Sequence, residues 1–146
     1  MLTAAEVESF ARAAHAGQVD KAGRPYAEHL AAVAGGVAAR GGDEHQVVAA
    51  WLHDAVEDGA VPEDWLDTAE ISERSRLIVL ALTRRVGERP EDYAARILAT
   101  PGALLVKEAD LAHNADPARL AELDGPTARR LAAKYAAMRA LLGVAG

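Results

Sequence analysis

His53 and Asp54 stand side by side, and two further carboxylates, Glu57 and Asp58, follow within about one helical turn. At about 100° per residue, a helix would carry these four at roughly 0°, 100°, 40° and 140°, all on one side. Three carboxylates and an imidazole so placed repel one another and resist burial. Yet they continue directly from the apolar run Val47-Val48-Ala49-Ala50-Trp51-Leu52, whose helix must be largely buried. A divalent cation resolves that conflict by neutralising the carboxylates and engaging their lone pairs. Two further candidate ligands are His29, four residues after Pro25, and Asp110, set in an otherwise apolar stretch. His29, His53, Asp54 and Asp110 make a two-nitrogen, two-oxygen set. Such a set suits manganese, iron, cobalt or zinc better than calcium and leaves positions open for water and substrate. Glu57 and Asp58 then stay free to take a proton from an attacking water, which is a hydrolase design.

Positive charge is placed where a polyphosphate would want it. Lys21 and Arg24 lie in the first loop, and Tyr26 stands where that loop runs into the next helix. Arg84, Arg85 and Arg89 surround a break near Gly87. Lys107 and Asn114 stand three residues before and four after Asp110, so the three share a helix face. Lys21, Arg24, Tyr26, Arg84, Arg85, Lys107 and Asn114 form the candidate substrate-binding set. The arginine run also fits a solvated surface. Tyr93, near that run, fits pocket or core equally. His15 is expected to be structural, His45 to be exposed and His113 to lie outside the pocket.

The elements that must position these residues are helices. Alanine dominates the apolar residues and aromatics are 4% of the chain, so an all-α bundle of roughly seven to nine thin, closely packed helices is expected. Thr3 with Glu6 reads as a capping box opening a helix to about His15, and Gly17 to Pro25 reads as a loop. A second helix is predicted from Tyr26 to Arg40. Asp43 with Gln46 starts a third, reaching about Glu57. Pro62 opens a short helix, and longer ones are predicted from Ser72 to Arg85, from Pro90 to Ala99 and from Ala103 to Asn114. Asp116-Pro117 caps a short helix and Pro126-Thr127 opens the last, to about Leu142. The 146 residues contain no repeat and no long linker, so residues 1–146 are read as one domain.

The net charge of −6 argues against duplex nucleic acid as a partner, and zero cysteines remove thiolate metal sites and cysteine nucleophiles. No apolar run is long enough for a membrane span, and the N-terminus lacks the pattern of a signal peptide, so a cytoplasmic chain with no membrane partner is expected.

The order His29, His53-Asp54, Asp110 resembles the HD superfamily of metal-dependent phosphohydrolases. Four segments narrow the resemblance: His15-Ala16-Gly17-Gln18, Gly23-Arg24-Pro25-Tyr26-Ala27-Glu28-His29, Leu52-His53-Asp54-Ala55-Val56-Glu57-Asp58 and Val106-Lys107-Glu108-Ala109-Asp110-Leu111-Ala112-His113-Asn114. Over about residues 10–115 they look like the hydrolase domain of RelA/SpoT-type alarmone enzymes and their small stand-alone relatives. The resemblance implies a helical HD domain that removes the 3′-pyrophosphate of (p)ppGpp. Manganese is the implied metal, with iron, cobalt, nickel or zinc as alternatives. It also implies His29, His53, Asp54 and Asp110 as ligands, and Glu57 and Asp58 as the acidic pair that positions or activates water. Lys21 would then lie near guanine and phosphate, and Asn114 near ribose.

Departures bear on the substrate. Asp20 stands where the family carries an arginine that stacks on guanine, Leu111 replaces a basic residue, and Ala115-Asp116-Pro117 replaces a nucleotide-holding segment. Hydrolysis of a small nucleotide, (p)ppGpp first, is the expected function. The alternatives are a nucleotidase or pyrophosphatase for another phosphorylated metabolite, or a metal-containing nucleotide sensor without turnover. Homo-oligomerisation is compatible with the alanine-rich surface.

Overall fold

The structure is a computed structural model and describes residues 1–144. Among the described residues it is all-α, as expected. The helices are α1 (Ala4–Ala14), α2 (Tyr26–Ala39), α3 (Glu44–Leu52), α4 (Trp65–Thr68), α5 (Glu73–Leu82), α6 (Pro90–Ala99), α7 (Ala103–Asn114), α8 (Pro117–Leu120) and α9 (Gly125–Leu142). No helix among them is long and apolar enough to cross a membrane.

The helix starts follow the capping chemistry. Thr3 Oγ1 accepts from Glu6 N–H while Glu6 Oε1 accepts from Thr3 N–H. Asp43 and Gln46 repeat the reciprocal pattern at α3. Gln46 is buried, and its Nε2 donates to the Gly102 carbonyl at 3.1 Å, tying the start of α3 to the turn before α7. Asp43 also pairs with Arg74 of α5. The start of α3 is further joined to α5 through Ser75 Oγ, which donates to the His45 carbonyl, and through the bond between His45 Nδ1 and Ser72 Oγ. His45 is therefore half-buried rather than exposed.

α3 is the central rod. Val48, Ala49, Ala50, Trp51 and Leu52 are all buried, and α1, α2, α5 and α7 pack around it. Small side chains let the helices approach closely. A methyl added at Gly36 of α2 would stand 3.3 Å from Ala109 Cβ of α7. That contact draws α2 against α7 one residue from Asp110.

Two predicted helix ends move. α3 stops at Leu52, not near Glu57, and residues 53–59 form consecutive turns. His53 Nδ1 donates to the Ala50 carbonyl at 2.6 Å, the acceptor that a continuing helix would give to Asp54 N–H. α5 stops at Leu82, not Arg85. Thr83 turns extended, its Oγ1 donates to the Val79 carbonyl, and Arg84 N–H is taken by Glu57 instead of a helical carbonyl. The short helix expected at Pro62 begins at Trp65, after a turn closed by Trp65 N–H on the Pro62 carbonyl. Trp65 stacks on Phe10 at the edge of the core, while Trp51 is buried within it.

Asp43 caps α3 and binds α5 at once, so Asp43→Ala is expected to destabilise the chain by about 1–2 kcal/mol in urea unfolding. An unchanged midpoint would show that neither contact contributes.

Candidate metal centre and adjoining cavity

Three helices converge on one point. His29 comes from the first turn of α2, His53 caps α3 with Asp54 following it, and Asp110 projects from α7. One ligand atom from each lies within 4.8 Å of all the others. His29 Nε2 is 3.0 Å from Asp110 Oδ1, and His53 Nε2 is 2.9 Å from Asp54 Oδ2 and 3.2 Å from Asp110 Oδ1. His29, His53 and Asp110 are buried and Asp54 is partly so.

The electrostatics are those of a tight ionic cluster. Burial works against a charged His53, but the carboxylates of Asp54 and Asp110 hold its pKa well above the usual imidazole value. Burial would likewise raise Asp110, yet Lys107, His29 and His53 hold it well below the carboxylate range. Asp54 is lowered too: burial opposes the shift, and the neighbouring His53 overcomes it.

The donor set fits a divalent transition metal. Both imidazoles aim Nε2 at the carboxylates and use Nδ1 outward, His53 on the Ala50 carbonyl and His29 on His113 Nδ1 at 2.7 Å. Tyr26 Oη donates to Asp54 Oδ2 at 2.5 Å. Lys107 Nζ donates to Asp110 Oδ2 at 2.9 Å, and Asn114 Nδ2 to Asp110 Oδ1 at 3.2 Å. Tyr26, Lys107 and Asn114, expected at the substrate, thus bind ligand carboxylates while also lining the cavity.

His113, expected outside the pocket, does not line the cavity but stacks on His29 with ring centres 5.0 Å apart. Partial burial, then the charges of His29 and Arg119, pull its pKa down to about 4, so near neutral pH it is an uncharged acceptor for His29 Nδ1–H. Its position three residues after Asp110, beside Asn114, was the available signal.

Beside the cluster lies a cavity of about 390 Å³. Glu57 and Asp58 stand at its rim. Glu57 Oε1 accepts from Arg84 N–H at 2.7 Å, and Asp58 Oδ2 from Gln18 Nε2 at 3.1 Å. Both residues are exposed as a whole, but their carboxyl ends turn inward. That partial desolvation, reinforced by the charge of Asp54, raises both pKa values.

Lys21, Arg84 and Lys107 line the same cavity, and α9 adds Lys134. Partial desolvation, then the positive charges of Arg84, Lys107 and Lys21, lower the Lys134 pKa, which places four cations in mutual range. Lys134 was not among the residues expected at the site. The signal was a lysine inside the apolar stripe Leu131, Tyr135 and Met138, all three of which also line the cavity.

Arg24 and Arg85 are not brought to the cavity. Arg24 forms a fork with Glu122 and lies near Glu28. Arg85 faces a neighbouring groove walled by Glu63, Asp64 and Asp67, and Arg89 pairs with Glu91. Tyr93 is buried, donates to the Leu82 carbonyl, and lies under Arg84 and Lys107.

Residues 8–89 match the HD domain, a stretch that includes His29, His53, Asp54, Glu57 and Asp58. The chain belongs to the HD domain family. HD domains bind a divalent metal, and the His/Asp cluster here is able to hold one. The chain is 36% identical over 115 residues to a guanosine-3′,5′-bis(diphosphate) 3′-pyrophosphohydrolase of Haemophilus influenzae, covering 72% of this chain and 17% of that protein. It is 33% identical over 116 residues to a probable enzyme of the same name from Synechocystis, covering 72% of this chain and 15% of that protein. The chain therefore spans about a sixth of the length of these relatives.

His53→Ala is expected to lose Mn²⁺ in calorimetric titration by more than the roughly 10–100-fold typical of an outer partner. Arg24→Ala, on the far side of the loop, should bind as the parent does. Equal affinity in all three proteins would remove the cluster as the metal site.

Proposed function

We propose that the protein is a metal-dependent phosphohydrolase of a small nucleotide, with the 3′-pyrophosphate of (p)ppGpp as its first substrate. The observation that carries this reading is the meeting of three features in one cavity: the His29, His53, Asp54, Asp110 cluster, the acidic pair and a four-cation wall. The volume falls in the range of small-ligand sites, about 300–1,000 Å³. The similarity to two (p)ppGpp pyrophosphohydrolases supports the substrate.

The four cluster residues would hold the ion, with Mn²⁺ the proposed identity. When bound, it supplies Lewis-acid polarisation of a phosphoryl oxygen and offsets negative charge. The chain's own groups do the rest. Glu57 and Asp58 accept the proton of the attacking water, and their raised pKa values make them stronger bases than ordinary carboxylates. The water oxygen bonds to the phosphorus next to the ribose, the bond from that phosphorus to the 3′ oxygen breaks, and the 3′ oxygen takes up a proton. Lys21, Arg84, Lys107 and Lys134 stabilise the phosphate oxygens. Asn114 and Tyr26 hold the ligand carboxylates and border the nucleotide. Such a nucleotide is a cytoplasmic molecule, which is where this reading locates the chain.

A second reading, hydrolysis of another phosphorylated nucleotide, is favoured by Asp20. Its Oδ1 accepts from the N–H groups of Ala22 and Arg24, and its Oδ2 faces Arg119 at 3.4 Å, so no cation stands at that loop position to stack on a base.

With Mn²⁺, ppGpp is expected to yield GDP and pyrophosphate, with product lost in Asp54→Ala protein and in EDTA. Turnover of dNTPs or nucleoside monophosphates but not ppGpp would select the second reading. Tight binding without product from any of them would mark a sensor. Lys134→Ala should raise KM about tenfold with a smaller change in kcat, as expected for loss of one charged hydrogen bond to phosphate. An unchanged KM would take α9 out of the binding wall.

A further inference from the structure

The mechanism above leaves one buried imidazole unused. His15 closes α1 and is 2% exposed. Its ring stacks on Tyr26, with centres 5.4 Å apart and planes 28° apart. Gly17, at φ +83°, reverses the chain just after it, and Gln18 N–H donates to the His15 carbonyl. The side chain of Gln18 then bridges two groups. Its Oε1 lies 2.7 Å from His15 Nδ1, and its Nε2 lies 3.1 Å from Asp58 Oδ2, forty residues along the chain.

The proton positions in this chain are over-determined. Asp58 as a base is ionised and only accepts, so Gln18 must turn its NH₂ group toward it. The amide oxygen then faces His15 and only accepts, so His15 must carry its proton on Nδ1. His15 Nε2 is buried with no hydrogen-bond partner among the described residues. In the Nδ1–H tautomer that atom is a bare lone pair. In the other tautomer it would be a buried, unpaired N–H, and Nδ1 would face the amide oxygen lone pair to lone pair. Both faults are costly.

We infer that His15 and Gln18 form a positioning relay for Asp58, in which the His15 Nδ1–H sets the orientation of the Gln18 amide and the amide holds Oδ2 of the carboxylate. The relay leaves Oδ1 of Asp58 free of Gln18 and aims the rim carboxylate at the cavity. Glu57 is held differently, by the backbone N–H of Arg84. Each member of the acidic pair thus has an amide donor from a distant part of the chain, Gln18 in the loop after α1 and Arg84 just after α5. His15 and Gln18 touch neither metal ligand nor substrate, so they are positioning residues and not catalytic ones.

The inference rests on the reading of Asp58 as a proton acceptor, and two measurements separate their fates. The first is the tautomer of His15, read by ¹⁵N NMR of the imidazole in the full chain loaded with diamagnetic Zn²⁺. An Nδ1–H ring is expected, and an Nε2–H ring would overturn the relay. An Nδ1–H ring in a protein that turns over no nucleotide would keep the hydrogen-bond chain and end the hydrolase reading. The second is kinetic. Gln18→Leu and His15→Leu are each expected to lower kcat at least about tenfold, with KM and Mn²⁺ affinity nearly unchanged. Because the two act in series, the double variant should be no slower than Gln18→Leu alone. His15→Asn, whose amide nitrogen reaches the Nδ1 position, should recover most of the loss. Additive losses, or an Asn variant as slow as the Leu variant, would show His15 to be packing only and overturn the proposal.

Discussion

Asp110 is a buried carboxylate, and much of the bundle is arranged around pairing its oxygens. Taking such a group out of water costs several kcal/mol unless its oxygens are paired. Here His29 and His53 approach Oδ1 from α2 and from the end of α3, Asn114 joins them from the following turn of α7, and Lys107 takes Oδ2. Each partner comes from a different place in the chain or a different turn, so the carboxylate can be satisfied only if α2, α3 and α7 meet at one depth. The small residues at that meeting, Gly36 against Ala109 above all, are a consequence. Larger side chains would hold the helices apart and leave the charge uncompensated.

Ending α3 at His53 is the second half of the same arrangement. A continuous helix would carry Glu57 and Asp58 on its own surface, at angles set by its pitch. The His53 bond to the Ala50 carbonyl redirects the chain into turns, and the two acids are then set by donors from elsewhere, Arg84 N–H and Gln18 Nε2. The residue that supplies a candidate ligand is therefore also the residue that releases the acidic pair to the cavity rim. Lys134 is lowered by burial and then by three neighbouring cations, while Glu57 and Asp58 are raised by burial and by Asp54. A cation beside the acids and an anion beside Lys134 would each offset the like-charge repulsion on its side.

What was legible in the sequence was local or carried by strong spacing. The capping pairs Thr3/Glu6 and Asp43/Gln46 mark helix starts because the interacting groups are three residues apart. His29, His53, Asp54 and Asp110 could be grouped because charged residues inside apolar runs demand a common partner. Interactions across long stretches of chain were not legible. Arg24 looked free beside Lys21, but its partner is Glu122, and Arg85, placed beside Arg84, faces a different groove. Helix ends failed for the same reason: α5 stops where Glu57, twenty-seven residues earlier, captures the Arg84 N–H. Lys134 lay hidden because a lysine within an apolar stripe can as easily extend its stem to solvent as face a cavity.

Asp20 shows how far a single residue type can mislead without its partners. In the sequence it is an acid in the loop that carries Lys21, and its charge counts against a phosphate there. In the fold both its oxygens are taken, one by two backbone N–H groups that shape the loop carrying Lys21, the other by the guanidinium of Arg119 from α8. Its charge is therefore compensated within the protein. Arg119 also lines the cavity, and it reaches His113 Nδ1 at 3.3 Å as well. One arginine thus links the loop that carries Lys21 to the histidine that orients His29. The loop and the His/Asp cluster are in this way joined through the side chains of Arg119 and His113.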